Sequence, residues 1–353
     1  MTERDPETMD VRPDEALDTS RLEPWLQDNL ENVTGPLTVR QFGGGHANLT
    51  YLLAFENTEY VLRRPPLGPI APSAHDMKRE HRILSRLWRQ WPLAPRSYVL
   101  CTDEQIIGAE FHVLERKDGF VLRSTNPEET DGKPELCRRI GEMTADVLAS
   151  FHMIDAEEVG LGGLGRPEGF VERQVGGWSK RWEAAVDDAS PDAATAIAWI
   201  QSDIPAAQTT TFVHNDYKLD NIMVARDDPA RAVAVLDWDM CTRGDPLLDL
   251  ANLVNYWGEV GDSENRRMAV YMPTDKPDFP TRAELVARYA EKTGFDVSRF
   301  AWYEIFGLFK IAVILQQIYI RYLRGQTQDE RFAVLGQRVQ ALIRQCDILI
   351  EQA

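Results

Sequence analysis

One polar loop near the middle of the chain decides how the rest of the sequence is interpreted. The stretch reads FVHNDYKLDNIMV at residues 212–224, where apolar ends flank a loop of charged and amide side chains. A second apolar run at 232–236 leads directly into Asp237. Because residues 226–231 can turn the chain back, the two apolar runs are predicted to pair as a hairpin. That pairing would bring the loop and Asp237 to the same end.

Residues 214–221, the acidic loop, contain the side chain types that phosphoryl transfer requires. The reaction needs a hydroxyl aligned with the phosphorus and divalent ions that hold the nucleotide phosphates. Asp216 is predicted to orient the attacking hydroxyl and accept its proton. Asn221 and Asp237 are predicted to supply the hard oxygen ligands that Mg²⁺ prefers.

Other polar residues of this region are predicted to have supporting roles. His214 is expected to hold the acidic loop by hydrogen bonding, and Lys218 to neutralise charge on the transferred phosphoryl group. Asp239 is either a second metal ligand or a cap for the following turn. Asp245 precedes a proline, which suits a helix N-cap, so structural roles are predicted for Asp245 and Asp249.

Hydrophobic periodicity on either side of the acidic loop divides the chain into two parts. Before it, strands are predicted at 37–42, 49–55, 59–64, 97–101 and 110–115, with helices at 22–30 and 76–89. After about residue 135, helices are predicted at 136–154, 171–185, 193–202, 247–257, 282–293, 300–324 and 331–351. A small antiparallel sheet joined to a mainly helical part predicts a two-lobed α+β fold rather than a doubly wound sheet.

The predicted domain organisation has three segments. Residues 1–20 are expected to be a disordered tail, and residues 21–117 an N-terminal lobe that carries a phosphate loop. Residues 118–353 are expected to form the helical lobe with the acidic loop and the acceptor site.

Several motifs occur in the order found in one family of small-molecule kinases. The acidic loop resembles the protein-kinase catalytic loop, with Asn215 in place of an arginine and Asp237-Trp238-Asp239 in place of Asp-Phe-Gly. An Ala-Pro-Glu element is missing, which disfavours a protein kinase. Roughly residues 35–325 are more similar to the aminoglycoside phosphotransferase and choline-kinase-like family. Besides the acidic loop, the stretches that resemble this family are FGGGHANLTY at 42–51, YVLRRPP at 60–66 and AHDMKRE at 74–80. The nearest resemblance is to the branch fused to acyl-CoA dehydrogenases.

This resemblance implies a two-lobed kinase-like fold and an ATP site between the lobes. Gly43, Gly44, Gly45 and His46 would then cover the nucleotide phosphates, although glycines between strands are also typical of a plain hairpin. The turn lacks the Gly-Lys-Ser/Thr of a Walker A loop, and no helix follows it as in a Rossmann fingerprint. The backbone near Glu115 and Lys117 would hydrogen-bond adenine.

Arg63 and Glu80 are predicted to form a pair within the nucleotide site. Glu80 shares an apolar helix face with Met77 and Leu84, where an ionised carboxylate is costly unless it is paired. Arg63 stands where kinases usually have a lysine, and its fork could grip a carboxylate and a phosphate together. The alternative is a glutamate at the rim of the helix face that pairs with the nearby Arg79 or Lys78.

Composition excludes some classes of function. The 353 residues include 39 basic and 56 acidic side chains, a net charge of −17 that argues against nucleic-acid binding. The four cysteines show no disulfide or zinc spacing, and the first 20 residues lack the apolar core of a signal peptide. The apolar stretch at 301–320 contains charged and amide residues, which favours a core helix over a membrane span. A cytoplasmic protein without a membrane partner is predicted.

The leading hypothesis is an ATP- and Mg²⁺-dependent kinase that phosphorylates a small-molecule hydroxyl. The resemblance allows aminoglycosides, choline-like alcohols, homoserine, sugars or hydroxyacyl compounds as acceptors, and the patterns do not choose among them or define the oligomeric state. Two alternatives remain open: a non-catalytic nucleotide-binding module, which Arg63 favours, and a metal-dependent phosphohydrolase.

Overall fold

The N-terminal lobe is an antiparallel sheet packed with two helices. The computed structural model describes residues 7–43, 48–67, 76–123, 129–269, 272–327 and 329–353. The lobe contains β1 (Thr8–Met9), α1 (Thr19–Asn29), β2 (Thr38–Phe42), β3 (Leu49–Ala54), β4 (Glu59–Arg64), α2 (Met77–Leu87), β5 (Ser97–Cys101) and β6 (Phe111–Glu115). Its six strands lie in the order β1-β2-β3-β4-β6-β5. Apart from β1, these elements match the predicted ones within a few residues.

The first described residues differ from the predicted disordered tail at 1–20, because residues 7–20 follow the edge of the sheet. β1 pairs with β2 in an antiparallel register. The hydroxyl of Tyr51 donates to the carbonyl oxygen of Glu15 at 2.7 Å. Val11 and Leu17 pack against the core of the lobe. Edge hydrogen bonds and a few apolar contacts thus order a stretch whose acidic composition alone is typical of disorder.

The C-terminal lobe is mainly helical, as predicted. Its helices are α3 (Pro134–His152), α4 (Phe170–Ala185), α5 (Ala194–Ser202), α6 (Leu247–Tyr256), α7 (Glu264–Ala269), α8 (Arg282–Thr293), α9 (Phe300–Leu323) and α10 (Leu335–Gln352). The predicted helix at 331–351 divides into a 3₁₀ turn at Glu330–Phe332 and α10. The two-lobed α+β fold class is therefore confirmed.

Helix α9 forms part of the core of this lobe. By length and composition alone it could cross a membrane, yet 61% of its most apolar 18-residue segment is buried inside the structure. The ring of Phe309 in α9 lies 6.0 Å from that of Trp182 in α4. Glu304 of α9 forms an ion pair with Arg266 of α7 at 2.8 Å. These contacts match the core helix predicted at 301–320.

Two small sheets surround the acidic loop and position it. They consist of β7 (Phe120–Val121), β8 (Thr211–Val213), β9 (Ile222–Val224), β10 (Ala232–Val235) and β11 (Thr242–Gly244). The strand order is β10-β9-β7 in one sheet and β11-β8 in the other. β9 and β10 pair antiparallel, which confirms the predicted hairpin. The N–H of Leu236 donates to the carbonyl oxygen of Asn221 at 2.8 Å, so Asp237 leaves the hairpin beside the end of the acidic loop.

Gly119 allows β7 to pack closely on this hairpin. A Cβ atom at this position would lie 2.5 Å from the carbonyl oxygen of Val224 and 2.7 Å from Cγ of Met223. We expect Gly119→Ala to lower the free energy of unfolding by about 1–3 kcal/mol in urea titrations, because β7 must shift away from β9. Gly176→Ala is the control, since its Cβ would meet nothing within 4 Å in α4. The control should raise stability by about 0.5–1 kcal/mol, and a similar gain at Gly119 would contradict the expectation.

Candidate active site

The acidic loop runs from β8 to β9, and its second residue has a left-handed backbone conformation. Asn215 has φ = 68°, a region that asparagine occupies more readily than most residues. Its side-chain amide donates to the carbonyl oxygen of Met240 at 2.9 Å. Asp237, which follows β10, has φ = 70°. These residues mark the two places where the chain leaves a strand and enters the site.

His214 connects the acidic loop to the end of the hairpin. Its Nε2 atom lies 3.0 Å from the carbonyl oxygen of Leu236, and its Nδ1 atom lies 3.3 Å from the backbone N–H of Asp216. With the proton on Nε2, the imidazole donates to Leu236 and accepts from Asp216. The side chain is fully buried, so it stabilises the loop from the interior of the lobe. It does not face the interlobe cavity.

Asp249 of α6 anchors the backbone of the loop; the sequence predicted a structural role for this residue but not its partners. Its carboxylate accepts hydrogen bonds from the N–H groups of His214 and Asn215, the second at 2.7 Å. It also lies 3.2 Å from Nε2 of His152 in α3. Burial would raise the pKa of Asp249, but its bonds to His152 and the loop hold that pKa below its usual value. Asp245, by contrast, accepts from the N–H of Leu247 at 3.0 Å, but Pro246 and not Asp245 is the N-cap residue of α6, one position later than predicted.

Asp216, Lys218 and Asn221 form one hydrogen-bonded group. The ammonium of Lys218 lies 2.8 and 2.6 Å from the two carboxylate oxygens of Asp216. The Asn221 amide donates to the carboxylate and to the backbone carbonyl of Asp216 at 2.9 and 2.8 Å. Burial opposes the charge of Lys218, but Asp216 outweighs it and raises the pKa of the lysine. Lys218 therefore stays protonated beside a carboxylate that remains 24% exposed.

Arg63 lies between two carboxylates from different parts of the chain. Its Nε atom is 3.5 Å from Glu80, and its Nη2 atom donates to Asp237 at 2.9 Å. Burial would lower the pKa of Arg63, but the two acids raise it above its usual value. Burial likewise would raise the pKa of Glu80, whereas Arg63 and His112 lower it to about 2. The predicted Arg63–Glu80 pair is thus present, and it links α2 to the end of the hairpin.

Removing the charge of Glu80 tests this pair. We expect Glu80→Gln to lower the free energy of unfolding by about 1–3 kcal/mol at neutral pH, because Arg63 loses its buried counter-charge. The lowered pKa means that the ionised Glu80 stabilises the fold above its unfolded pKa of about 4.3 and loses this effect as pH falls towards 2. Urea titrations should therefore show a smaller difference between variant and parent in acid.

The control for this experiment is Glu110→Gln, which alters a more exposed ion pair with Lys78. Exposed pairs contribute about 0–1 kcal/mol, so the control should remain close to the parent protein. Equal losses for the two variants would contradict the buried pair.

A cavity of about 750 Å³ lies between the lobes. Val61 and Leu114 line it from the sheet of the N-terminal lobe, and Met223 lines it from the hairpin. Asn221 and Asp237 line it as well. A space of this size, lined by apolar side chains together with many polar and charged ones, can hold a small molecule that has both apolar and charged parts.

Those residues of the predicted phosphate loop and adenine contacts that the structure describes lie at this cavity. Gly43 lines the cavity, whereas Gly44, Gly45 and His46 lie outside the described residues. Glu115 and Lys117 line it and form an ion pair with each other at 2.9 Å. The N–H of Glu115 donates to the carbonyl oxygen of Arg96 at 2.8 Å, so that group is used inside the lobe.

Two aspartates near the loop differ in their position relative to the cavity. Asp239 is 8% exposed and is not one of the residues that line the cavity; its role as a metal ligand stays a prediction. Asp220, which the sequence did not single out, does line the cavity. Within the described residues its buried Oδ1 atom has no hydrogen-bond partner. Burial raises the pKa of Asp220, and Lys218 and Arg123 oppose this only in part.

Comparisons with solved structures identify the fold. A candidate aminoglycoside phosphotransferase from Ralstonia eutropha JMP134 is 28% identical and superimposes with a TM-score of 0.82, covering 96% of this chain and 99% of that one. An aminoglycoside phosphotransferase in ternary complex with ADP and hygromycin B is 18% identical, with a TM-score of 0.59 over 92% and 98% of the chains. Choline kinase from Cryptosporidium parvum is 13% identical, with a TM-score of 0.64 over 95% and 97%. The kinase-like fold predicted from the sequence is confirmed.

Curated relatives belong to the predicted branch. Acyl-CoA dehydrogenase family member 10 of Mus musculus is 31% identical over 92% of this chain, which spans 30% of that protein. Family member 11 of Rattus norvegicus is 31% identical over 95% of this chain, which spans 44% of that protein. The sequence profile of the phosphotransferase enzyme family, abbreviated APH, matches residues 38–303. The chain therefore belongs to this phosphotransferase family.

Proposed function

We propose that the protein is an ATP- and Mg²⁺-dependent phosphotransferase that moves the γ-phosphate to a hydroxyl of a small molecule. One observation carries the proposal. Asn221 and Asp237 lie on the wall of the interlobe cavity, and the Asn221 amide is hydrogen-bonded to Asp216. A prospective proton acceptor thus adjoins one of two prospective metal ligands on the wall of a nucleotide-sized space, although Asp216 itself is not one of the lining residues. A cytoplasmic location, where ATP is available, belongs to the same proposal.

Side-chain oxygen atoms of Asn221, Asp237 and Asp220 at the cavity wall fit Mg²⁺. Asn221 uses its amide nitrogen on Asp216, which leaves its amide oxygen for a ligand. The Asp237 side chain is 31% exposed, and the Oδ1 atom of Asp220 is unpartnered within the described residues. Mg²⁺ is usually held by one or two protein carboxylates together with substrate phosphates. When bound, the ion would neutralise charge on the phosphates.

The side chains of the acidic loop would perform the remaining tasks. The acceptor oxygen forms a bond to the γ-phosphorus, the bond from that phosphorus to its bridging oxygen breaks, and ADP leaves with the electron pair. Asp216 accepts the proton of the hydroxyl. Lys218, held at 2.6 Å from Asp216, would place its charge beside the transferred group. Arg63 would contact the phosphates in the place of the usual lysine.

A second candidate is nucleotide binding without transfer. The contact of 2.9 Å between Arg63 and Asp237 favours it, because that arginine engages one of the proposed metal ligands. The two candidates differ in whether ADP is formed.

A turnover assay tests the proposal. Purified protein is supplied with Mg·ATP and a panel of sugars, amino alcohols, aminoglycosides and hydroxy acids, and ADP and phosphorylated products are measured by mass spectrometry. Acceptor-dependent ADP formation that is lost in Asp216→Asn is the expected result. ATP binding without ADP formation would favour the non-catalytic module, and rapid phosphate release without an acceptor would favour a hydrolase.

A further inference from the structure

Two cations lie behind the acidic loop, on helices of the C-terminal lobe. Lys310 in α9 is half-buried, and its ammonium donates to the carbonyl oxygen of Asn215 at 3.0 Å. Arg181 in α4 is exposed, and its guanidinium lies over the ring of Trp178, 4.4 Å from the centroid. Lys310 lies 5.8 Å from the same centroid, so one buried tryptophan joins both cations. Since Asn215 directly precedes Asp216, Lys310 lies next to the proposed base, and Arg181 lies near Lys310.

The charge of these two cations is not balanced by nearby acids. Within the described part of the chain neither cation forms an ion pair. The acids that act on Lys310 are Asp216 and Asp249. Asp216 is paired with Lys218, and Asp249 is hydrogen-bonded to His152 and the loop backbone. Burial lowers the pKa of Lys310, and attraction from the two acids does not restore it. The surplus at this place is positive, although the chain as a whole has a net charge of −17.

We propose that the acceptor is a hydroxyl compound that also carries a carboxylate or phosphate, and that Lys310 and Arg181 bind this anionic group beside Asp216. An anion would supply the counter-charge that a half-buried ammonium otherwise lacks. Arginine and lysine side chains form strong charge-assisted hydrogen bonds with both kinds of anion. This inference rests on the proposed function and adds the chemical class of the acceptor to it.

The same arrangement disfavours a polycationic acceptor. Ammonium groups placed beside Lys310 and Arg181 would meet like charges, which costs affinity and rejects such partners. The inference therefore separates this protein from the aminoglycoside and choline kinases whose fold it shares.

Matched acceptors and variants test the inference. The acceptors are short hydroxycarboxylates and their amides, phosphorylated alcohols and the corresponding diols, and an aminoglycoside. The variants are Arg181→Gln and Lys310→Gln, with Lys180→Gln as a control that removes one charge from the adjacent exposed position. For an anionic acceptor we expect KM to rise roughly tenfold in each test variant, and in Arg181→Gln we expect KM for the uncharged partner to be unchanged. The control should leave both values unchanged. A carboxylate or phosphate preference in the parent protein distinguishes the two sources of negative charge.

Two further outcomes keep the inference separate from the proposed function. Calorimetric titration with the hydroxycarboxylates and phosphorylated alcohols in the presence of ADP measures anion binding without turnover. Loss of this binding in Arg181→Gln supports the anion site even if no ADP is ever formed. Equal use of charged and uncharged acceptors, with Arg181→Gln like the parent protein, would overturn the inference while leaving the kinase intact. A uniform fall of kcat in Lys310→Gln alone would show that Lys310 only supports the loop.

Discussion

Replacing Asp216 by asparagine is expected to lower kcat for acceptor-dependent ADP formation by about 10²–10⁴-fold, the usual contribution of a general base. Asparagine keeps the shape of the side chain, but it cannot accept the hydroxyl proton. The interlobe cavity is lined by other residues, including Asn221 and Asp237. The Kd for ATP should therefore stay close to that of the parent protein. A coupled ADP assay and equilibrium nucleotide titration measure the two quantities.

The matched control for this variant is Asp227→Asn. Asp227 is 78% exposed in the turn of the hairpin, where it pairs with Arg231. The substitution removes the same charge at a distance from the acidic loop, and the kcat of the variant should equal that of the parent. If Asp216→Asn retained parental kcat with a good acceptor, a base at this position would be ruled out.

Replacing Asp249 by alanine is expected to lower the free energy of unfolding by about 3–5 kcal/mol, because one change leaves several buried groups without their partner. The carboxylate is fully buried, and it accepts from the N–H groups of His214 and Asn215 while contacting His152. Urea titration monitored by circular dichroism measures the loss. The lowered pKa of Asp249 adds a pH dependence. Its contribution is present above the unfolded pKa of about 3.9 and is lost as pH falls through the folded value.

Glu142→Ala is the matched control, since it removes a carboxylate from the same helix that carries His152. Glu142 is 35% exposed and lies 3.6 Å from Arg288, which keeps its shorter bond to Asp146. A change within about 1 kcal/mol is expected for such a surface pair. A similarly small loss for Asp249→Ala would show that the loop does not depend on α6.

The sequence predicted the features of this site that depend on local spacing. The hairpin follows from two apolar runs separated by a short turn, and its pairing brings Asn221 beside Asp237. The pairing of Arg63 with Glu80 follows from an acid on an apolar helix face, because such a carboxylate requires a partner. In both cases the argument needed only neighbouring residues and one physical cost.

Other features depend on contacts between distant parts of the chain, which periodicity does not encode. Asp249 and His152 meet from α6 and α3, 97 residues apart in sequence. Lys310 reaches Asn215 across 95 residues. In the sequence, Asp220 could not be distinguished from other polar loop residues. Only its position in the wall of the cavity marks it as a candidate site residue. The edge strand β1 is only two residues long, too short for a pattern of alternation.

The attachment of the acidic loop to α6 has an evolutionary consequence. Because Asp249 holds the loop through backbone N–H groups, this attachment remains whichever side chain occupies position 216. A gene copy that lost the carboxylate of Asp216 would still encode a folded protein with an open interlobe cavity. If Asp216 is the base, as proposed, a protein that keeps the cavity but no longer transfers phosphate could therefore arise from this scaffold by a single substitution.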